Sequence, residues 1–123
     1  LDNNLEHRKK LGVFLEKRFQ WLKEKLTPDT SNHAFLRYSF LVKDKNKFIQ
    51  SFRANFDMGI WFQSIAHGRQ SDFEKICYHA GSCPVAEDVA KHIVNFPTHE
   101  GIDINFLLKK IDKSFKQISS SIK

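Results

Sequence analysis

Four residues in the middle of the chain, His67, Cys77, His79 and Cys83, are of the types that hold zinc. Cys77-x-His79-x-x-x-Cys83 together with His67 supplies enough ligands for a tetrahedral site, but it lacks the tight Cys-x-x-Cys knuckle of structural zinc sites. The plainer reading makes Cys77 a core residue, Cys83 a helix-start residue and both histidines loop residues, so no metal is expected. A second group, Trp61, Phe62 and His67, falls on or just after a predicted strand, where loops carry function. With Arg37 on another strand, these are the candidate substrate-binding residues. The competing reading places Trp61 and Phe62 in core or interdomain packing. It has Arg37 facing another domain or a phosphate, or snorkelling to the surface.

The elements that must position these residues follow from periodicity. Leu5, Leu11, Leu15, Phe19, Leu22 and Leu26 recur every three to four residues and predict an amphipathic helix over residues 3–26. Its charged face includes Arg8, Lys9 and Lys10, a run read as a solvated face. Gly12 sits inside this helix at a cost of about 1 kcal/mol relative to alanine. Residues 27–32, Thr-Pro-Asp-Thr-Ser-Asn, form a breaker and loop. Residues 33–43 alternate as a strand, with Leu36, Tyr38, Phe40 and Val42 on one face and Phe35, Arg37, Ser39 and Leu41 on the other. Apolar residues on both faces suggest a central strand. Asp44 caps a helix through about residue 55, with Phe48, Ile49, Phe52 and Phe56 inward, and Gly59 suits its stop. Residues 59–63 read as a second strand. A short helix over 71–78 turns Phe73, Ile76 and Cys77 inward.

From Gly81 to Ile102 the pattern is denser. Ser82 or Cys83 caps a helix, and Pro84 fits its first turn. Val85, Ala86, Val89, Ala90 and Ile93 share one face, with Glu87, Asp88 and Lys91 turned to water. Residues 93–96, Ile-Val-Asn-Phe, form a brief strand that Pro97 stops, and residues 98–101 turn. Asp103 caps a last helix with a stripe of Ile104, Leu107, Leu108, Ile111, Phe115, Ile118 and Ile122. Ser119, Ser120 and Ser121 are expected to fray. The expected fold class is α+β: a small antiparallel sheet of about three strands, over 33–43, 59–63 and 93–96, with helices covering one face.

The order Cys83-Pro84-Val85-Ala86-Glu87, an apolar helix, then Asn95-x-Pro97-Thr98-His99 and a last amphipathic helix resembles the C-terminal end of the DegT/DnrJ/StrS family. These are pyridoxal-phosphate (PLP) aminotransferases, many acting on nucleotide-linked keto sugars. The strand with Tyr38, the Lys-bearing turn, the next helix and Gly59-Ile60 run in the same order as the family's small domain, so the resemblance spans nearly the whole chain. One departure is local. Many members carry Tyr-Pro-x-x-His soon after Gly-Ile, whereas this chain has Trp61-Phe62-Gln63-Ser64-Ile65-Ala66-His67, without the Tyr and the Pro.

The resemblance implies an α/β sandwich and a place for residues 1–123 as one C-terminal small domain of a longer protein. That domain closes one side of the active site and supports a homodimer. A PLP enzyme needs a lysine Schiff base, an acid near the pyridine nitrogen and donors for the phosphate. In the family these lie in the large N-terminal domain. No lysine here matches that context, so no catalytic or cofactor-binding residue is assigned, and this chain by itself is expected neither to bind PLP nor to transaminate.

Length and composition allow this and exclude other classes. At 123 residues the chain makes one domain, and no apolar run approaches a membrane span. The opening residues are polar and charged, and there are two cysteines six apart, so a reducing cytoplasm is the expected compartment. The net charge of +6 attracts phosphates of any kind. It does not select nucleic acid, because the aromatics follow core periodicity and no nucleic-acid motif is present. Two function classes therefore stand beside each other: the small domain of an aminotransferase, and a non-catalytic binding or regulatory module that kept the fold. In the first, some of Leu5, Leu11, Phe14, Phe35, Trp61 and Phe62 are expected to supply exposed apolar surface toward the other domain.

Overall fold

A computed structural model describes residues 2–19, 32–58, 61–66 and 72–121, with the backbone alone for 115–121. Helix α1 spans Asp2–Arg18 and strand β1 spans Arg37–Leu41. Helix α2 is Lys45–Phe52, and α3 is Pro84–His92, running directly into strand β2, Ile93–Pro97. Helix α4, Ile104–Ser121, closes the described chain and includes the three serines expected to fray. The strands pair antiparallel with Tyr38 opposite Phe96, Ser39 opposite Asn95 and Phe40 opposite Val94.

That register separates two sheet faces. Tyr38, Phe40, Val94 and Phe96 point into a core shared with Leu11, Leu15 and Phe19 of the first helical segment, Phe48 and Phe52 of α2, and Leu107 and Ile111 of α4. The core is built around aromatic rings. Phe96, in the middle of the Asn-Phe-Pro-Thr-His run, lies 5.3 Å from Phe52, 5.6 Å from Phe40 and 6.1 Å from both Phe19 and Phe48, centroid to centroid. Offset and edge-on pairs at these spacings add to plain area burial. The opposite face carries Arg37, Ser39, Ile93 and Asn95, with Val89 of α3 beside it.

Caps fall where the sequence puts them. The Asp44 carboxylate accepts from the Lys47 amide at 2.9 Å, and Asp103 accepts from Phe106 at 2.8 Å. Gly12 has a reason the helix pattern does not contain. Phe35 adopts a left-handed φ of 46°, and its ring lies directly against the α1 backbone. A Cβ on Gly12 would stand 2.3 Å from Phe35 Cγ.

Several expectations are corrected. Residues 61–63 are not a strand; Ala66, further on, is an isolated bridge residue, and the sheet among the described residues has two strands. β1 is therefore an edge strand and not a central one. The reason is competition: the Trp61 and Phe62 carbonyls accept from the Asn95 and Lys45 side chains instead of from a ladder. Leu11 and Phe35 are buried and not interdomain surface, because α1 and the chain entering β1 pack on each other. Phe73–Ile76 is a single 3-10 turn, and Cys77, with φ 54°, is exposed and not core. In α3 only Ala90 is buried, and Val85 is 77% exposed. Glu87 stays on the solvent side, as expected, and there accepts from the Tyr78 hydroxyl at 2.5 Å and the Gly81 amide at 2.6 Å. Lys9 and Lys10 are exposed as expected, while the half-exposed Arg8 also donates from Nη1 to the Leu36 carbonyl at 2.8 Å. His67, Gly59, Ile60, residues 20–31 and the Phe115, Ile118 and Ile122 side chains lie outside what is described.

Candidate functional site

Three of the four candidate substrate-binding residues come together on the sheet face opposite the aromatic core. Arg37, the first residue of β1, places its guanidinium carbon 5.3 Å from the Trp61 ring centroid. Trp61 and Phe62 are exposed at 43% and 47%, and Leu36 beside them at 61%. They line an open groove of about 410 Å³ floored by Ser39, Ile93 and Asn95, with His33 and Val89 on its sides. Past Phe62 the groove continues over Val89 and Ile93 toward Ser64 and Ile65. His67, the fourth candidate, is outside the described residues.

The Asn-Phe-Pro-Thr-His run holds this groove open. Asn95 is paired across the sheet with Ser39, whose hydroxyl donates to Asn95 Oδ1 at 2.5 Å. That contact orients the amide so that Nδ2 donates to the Trp61 carbonyl. Lys45 anchors the next residue, donating to the carbonyls of Phe62 and Ala90. Burial lowers the Lys45 pKa from the ordinary lysine value. Thr98, fully buried, donates its hydroxyl proton to the carbonyls of Phe35 or Leu36 and accepts from Arg8 Nη1 at 3.3 Å. The backbone just before Arg37 is thus fixed from two sides. His33 Nδ1 accepts from the Phe35 amide at 2.9 Å, so in the neutral ring the proton sits on Nε2.

The electrostatics of the groove are one-sided. Among the described residues, no Asp or Glu lines it. Arg37 Nη1 is buried and has no hydrogen-bond partner among the described residues. Tyr38, next in the strand, points to the other face and donates to Glu16 Oε2 at 3.0 Å; burial, then the Glu16 charge, pushes its pKa well above the ordinary tyrosine value.

Lys45 is engaged by the Phe62 and Ala90 carbonyls, and no step of amino transfer is derived from it. His79, Cys77 and Cys83 do not form a ligand cluster: among the described residues no group of three His, Cys, Asp or Glu side chains is placed to hold a metal. Among them, too, no helix is long and apolar enough to cross a membrane.

Ser39 was legible as a site residue, because it shares a strand face with Arg37. Asn95 and Lys45 were not, since their partners are fixed only by the strand register and by the path of the 61–66 loop. No family model matches the chain, and no curated protein matches it.

Proposed function

We propose that this chain is the C-terminal small domain of a cytoplasmic PLP-dependent aminotransferase of the DegT/DnrJ/StrS type, acting on a nucleotide-linked keto sugar. In this reading the domain closes one side of an active site, supports a homodimer, and leaves PLP and its lysine to a large N-terminal domain. Trp61, Phe62 and Arg37 are the substrate-side wall, with His67 beside them in sequence. The observation that carries the reading is the work done by the motif that prompted it. Asn95 and Thr98, polar and buried, hold Trp61 and the residues before Arg37 at the rim of a groove. Among the described residues the groove has a cationic and aromatic wall, as suits a half-site. Leu5, Phe14, Trp61 and Phe62 remain exposed, as the reading expects of a face that meets another domain.

The test uses the protein encoded by the whole reading frame that contains this chain. Purified with PLP, it is expected to transfer the amino group of glutamate to a nucleotide-linked keto sugar, and Trp61→Ala is expected to raise KM for the sugar nucleotide. A longer protein with no amino-transfer activity on any such acceptor would contradict the reading. It would leave the second one, a non-catalytic binding module, which the preformed groove of the single chain favours.

A further inference from the structure

We infer that the groove between β1, β2 and the Trp61–Phe62 segment is an oxyanion site, with the Arg37 guanidinium as its anchor and the Trp61 ring as its wall. The inference names the ligand class of the groove assigned above to substrate, and it rests on that assignment.

Three observations carry it. First, a guanidinium has five N–H donors in a fixed fork matched to a carboxylate or phosphate. Here Nη1 is buried without a partner among the described residues. A buried donor left unpaired is costly, and such groups in folded proteins have a reason. Second, among the described residues no carboxylate lines the groove to answer this cation. Elsewhere the chain pairs its cations in the ordinary way, as Arg18 does with Asp112 and Lys10 with Glu6. Third, the geometry is held in advance. Trp61 stacks on the guanidinium at 5.3 Å while its carbonyl is tied to Asn95, whose amide Ser39 orients. The cation is thus fixed before any ligand arrives, which lowers the ordering cost of binding. With exposed Leu36 and Phe62 at its edges, the groove suits an oxyanion attached to a planar or apolar body.

Phosphate and carboxylate share this chemistry, and the experiment separates them. The 123-residue chain, labelled with nitrogen-15, is titrated at constant ionic strength with inorganic phosphate, phenyl phosphate and phenylacetate. The signals followed are the Arg37 Nε–H and the Trp61 indole N–H. The inference predicts saturable shifts of both signals with at least one of the two aromatic probes, and weaker binding of phosphate alone. Phenyl phosphate binding alone assigns a phosphate ligand, and phenylacetate binding alone a carboxylate. Arg37→Gln should weaken binding at least tenfold, whereas Arg53→Gln, on α2's end and away from the groove, should not. Because Arg37 Nη1 bonds to nothing described, Arg37→Gln should fold as the parent does, and its amide spectrum checks this. Arg37→Lys, which keeps the charge and loses the fork, should bind between the two. No saturable shift with any probe, or equal affinity in Arg37→Gln and the parent, would overturn the inference. Anion binding is read on this chain alone and amino transfer on the longer protein, so the two readings fail separately.

Discussion

Replacing Gly12 by alanine is expected to destabilise the fold, against helix propensity. In an exposed helix interior this change stabilises by about 1 kcal/mol. Here the new Cβ would meet Phe35 Cγ at 2.3 Å and both Cδ atoms at 2.5 Å. Helix and ring must separate by about 1.1 Å, the difference between that approach and an ordinary 3.4 Å contact. The ring has little freedom to yield. Phe35 is 1% exposed, its ring meets the His33 ring edge-on at 4.6 Å, and its amide is bonded to His33 Nδ1. Overpacking a core costs about 1–3 kcal/mol, and a displacement this large belongs at the upper end. Less the propensity gain, the net loss is about 2 kcal/mol. Urea denaturation should show a lower midpoint at unchanged slope. In a Phe35→Ala background the clash is gone, and Gly12→Ala should become stabilising by about 1 kcal/mol. A parent-background Gly12→Ala protein as stable as the parent, or more so, would refute the packing of Phe35 on α1.

Thr98→Val keeps the shape but leaves the Phe35 and Leu36 carbonyls without their hydroxyl donor; a loss of about 1–3 kcal/mol is expected in the same denaturation assay, and Thr98→Ser should recover most of it. The Tyr78 hydroxyl, then the Gly81 amide, hold the Glu87 carboxyl below its usual 4.5, so this contribution is present above pH 4.5 and lost as pH falls through the lowered value. Amide exchange at Gly81, referenced to a freely exchanging amide, should accordingly lose protection in acid, and Glu87→Gln should abolish that pH step. Tyr78 is raised to about 12, first by the same hydrogen bond, so its contribution is present below the ordinary 10.0 and lost as pH rises through about 12; absorbance titration of Glu87→Gln should show Tyr78 ionising at lower pH than in the parent.

Local signals were strong enough to place the two strands, the four helices and both aspartate caps, because each is written within a few residues. The register was not written there, and much of the site depends on it. Ser39 faces Asn95 only once β1 and β2 pair, and Asn95 reaches Trp61 only because the 61–66 segment crosses that face. The apolar run around Trp61 looked like a strand by composition. Its carbonyls instead meet side-chain donors, and its rings stay at the surface. Gly12 read as a local cost, while its cause is a ring 23 positions along the sequence. Arg8 read as part of a charged face, yet it spans α1 and the entry to β1 through Leu36 and Thr98. Cys77 was assigned to the core by residue type, but a left-handed backbone turns that segment outward. For the Trp61 run, Gly12 and Arg8, a long-range contact overrode a sound local preference.

The central claim, that this is the small domain of a PLP enzyme whose cofactor is held elsewhere, is tested most directly by locating the cofactor. The protein encoded by the full reading frame, purified with PLP, is reduced with borohydride to fix any cofactor–lysine bond, then digested and mapped by mass spectrometry. The account predicts a single modified lysine that lies outside residues 1–123. Cofactor fixed to any lysine of this chain, or no specific modification anywhere in the longer protein, would contradict it.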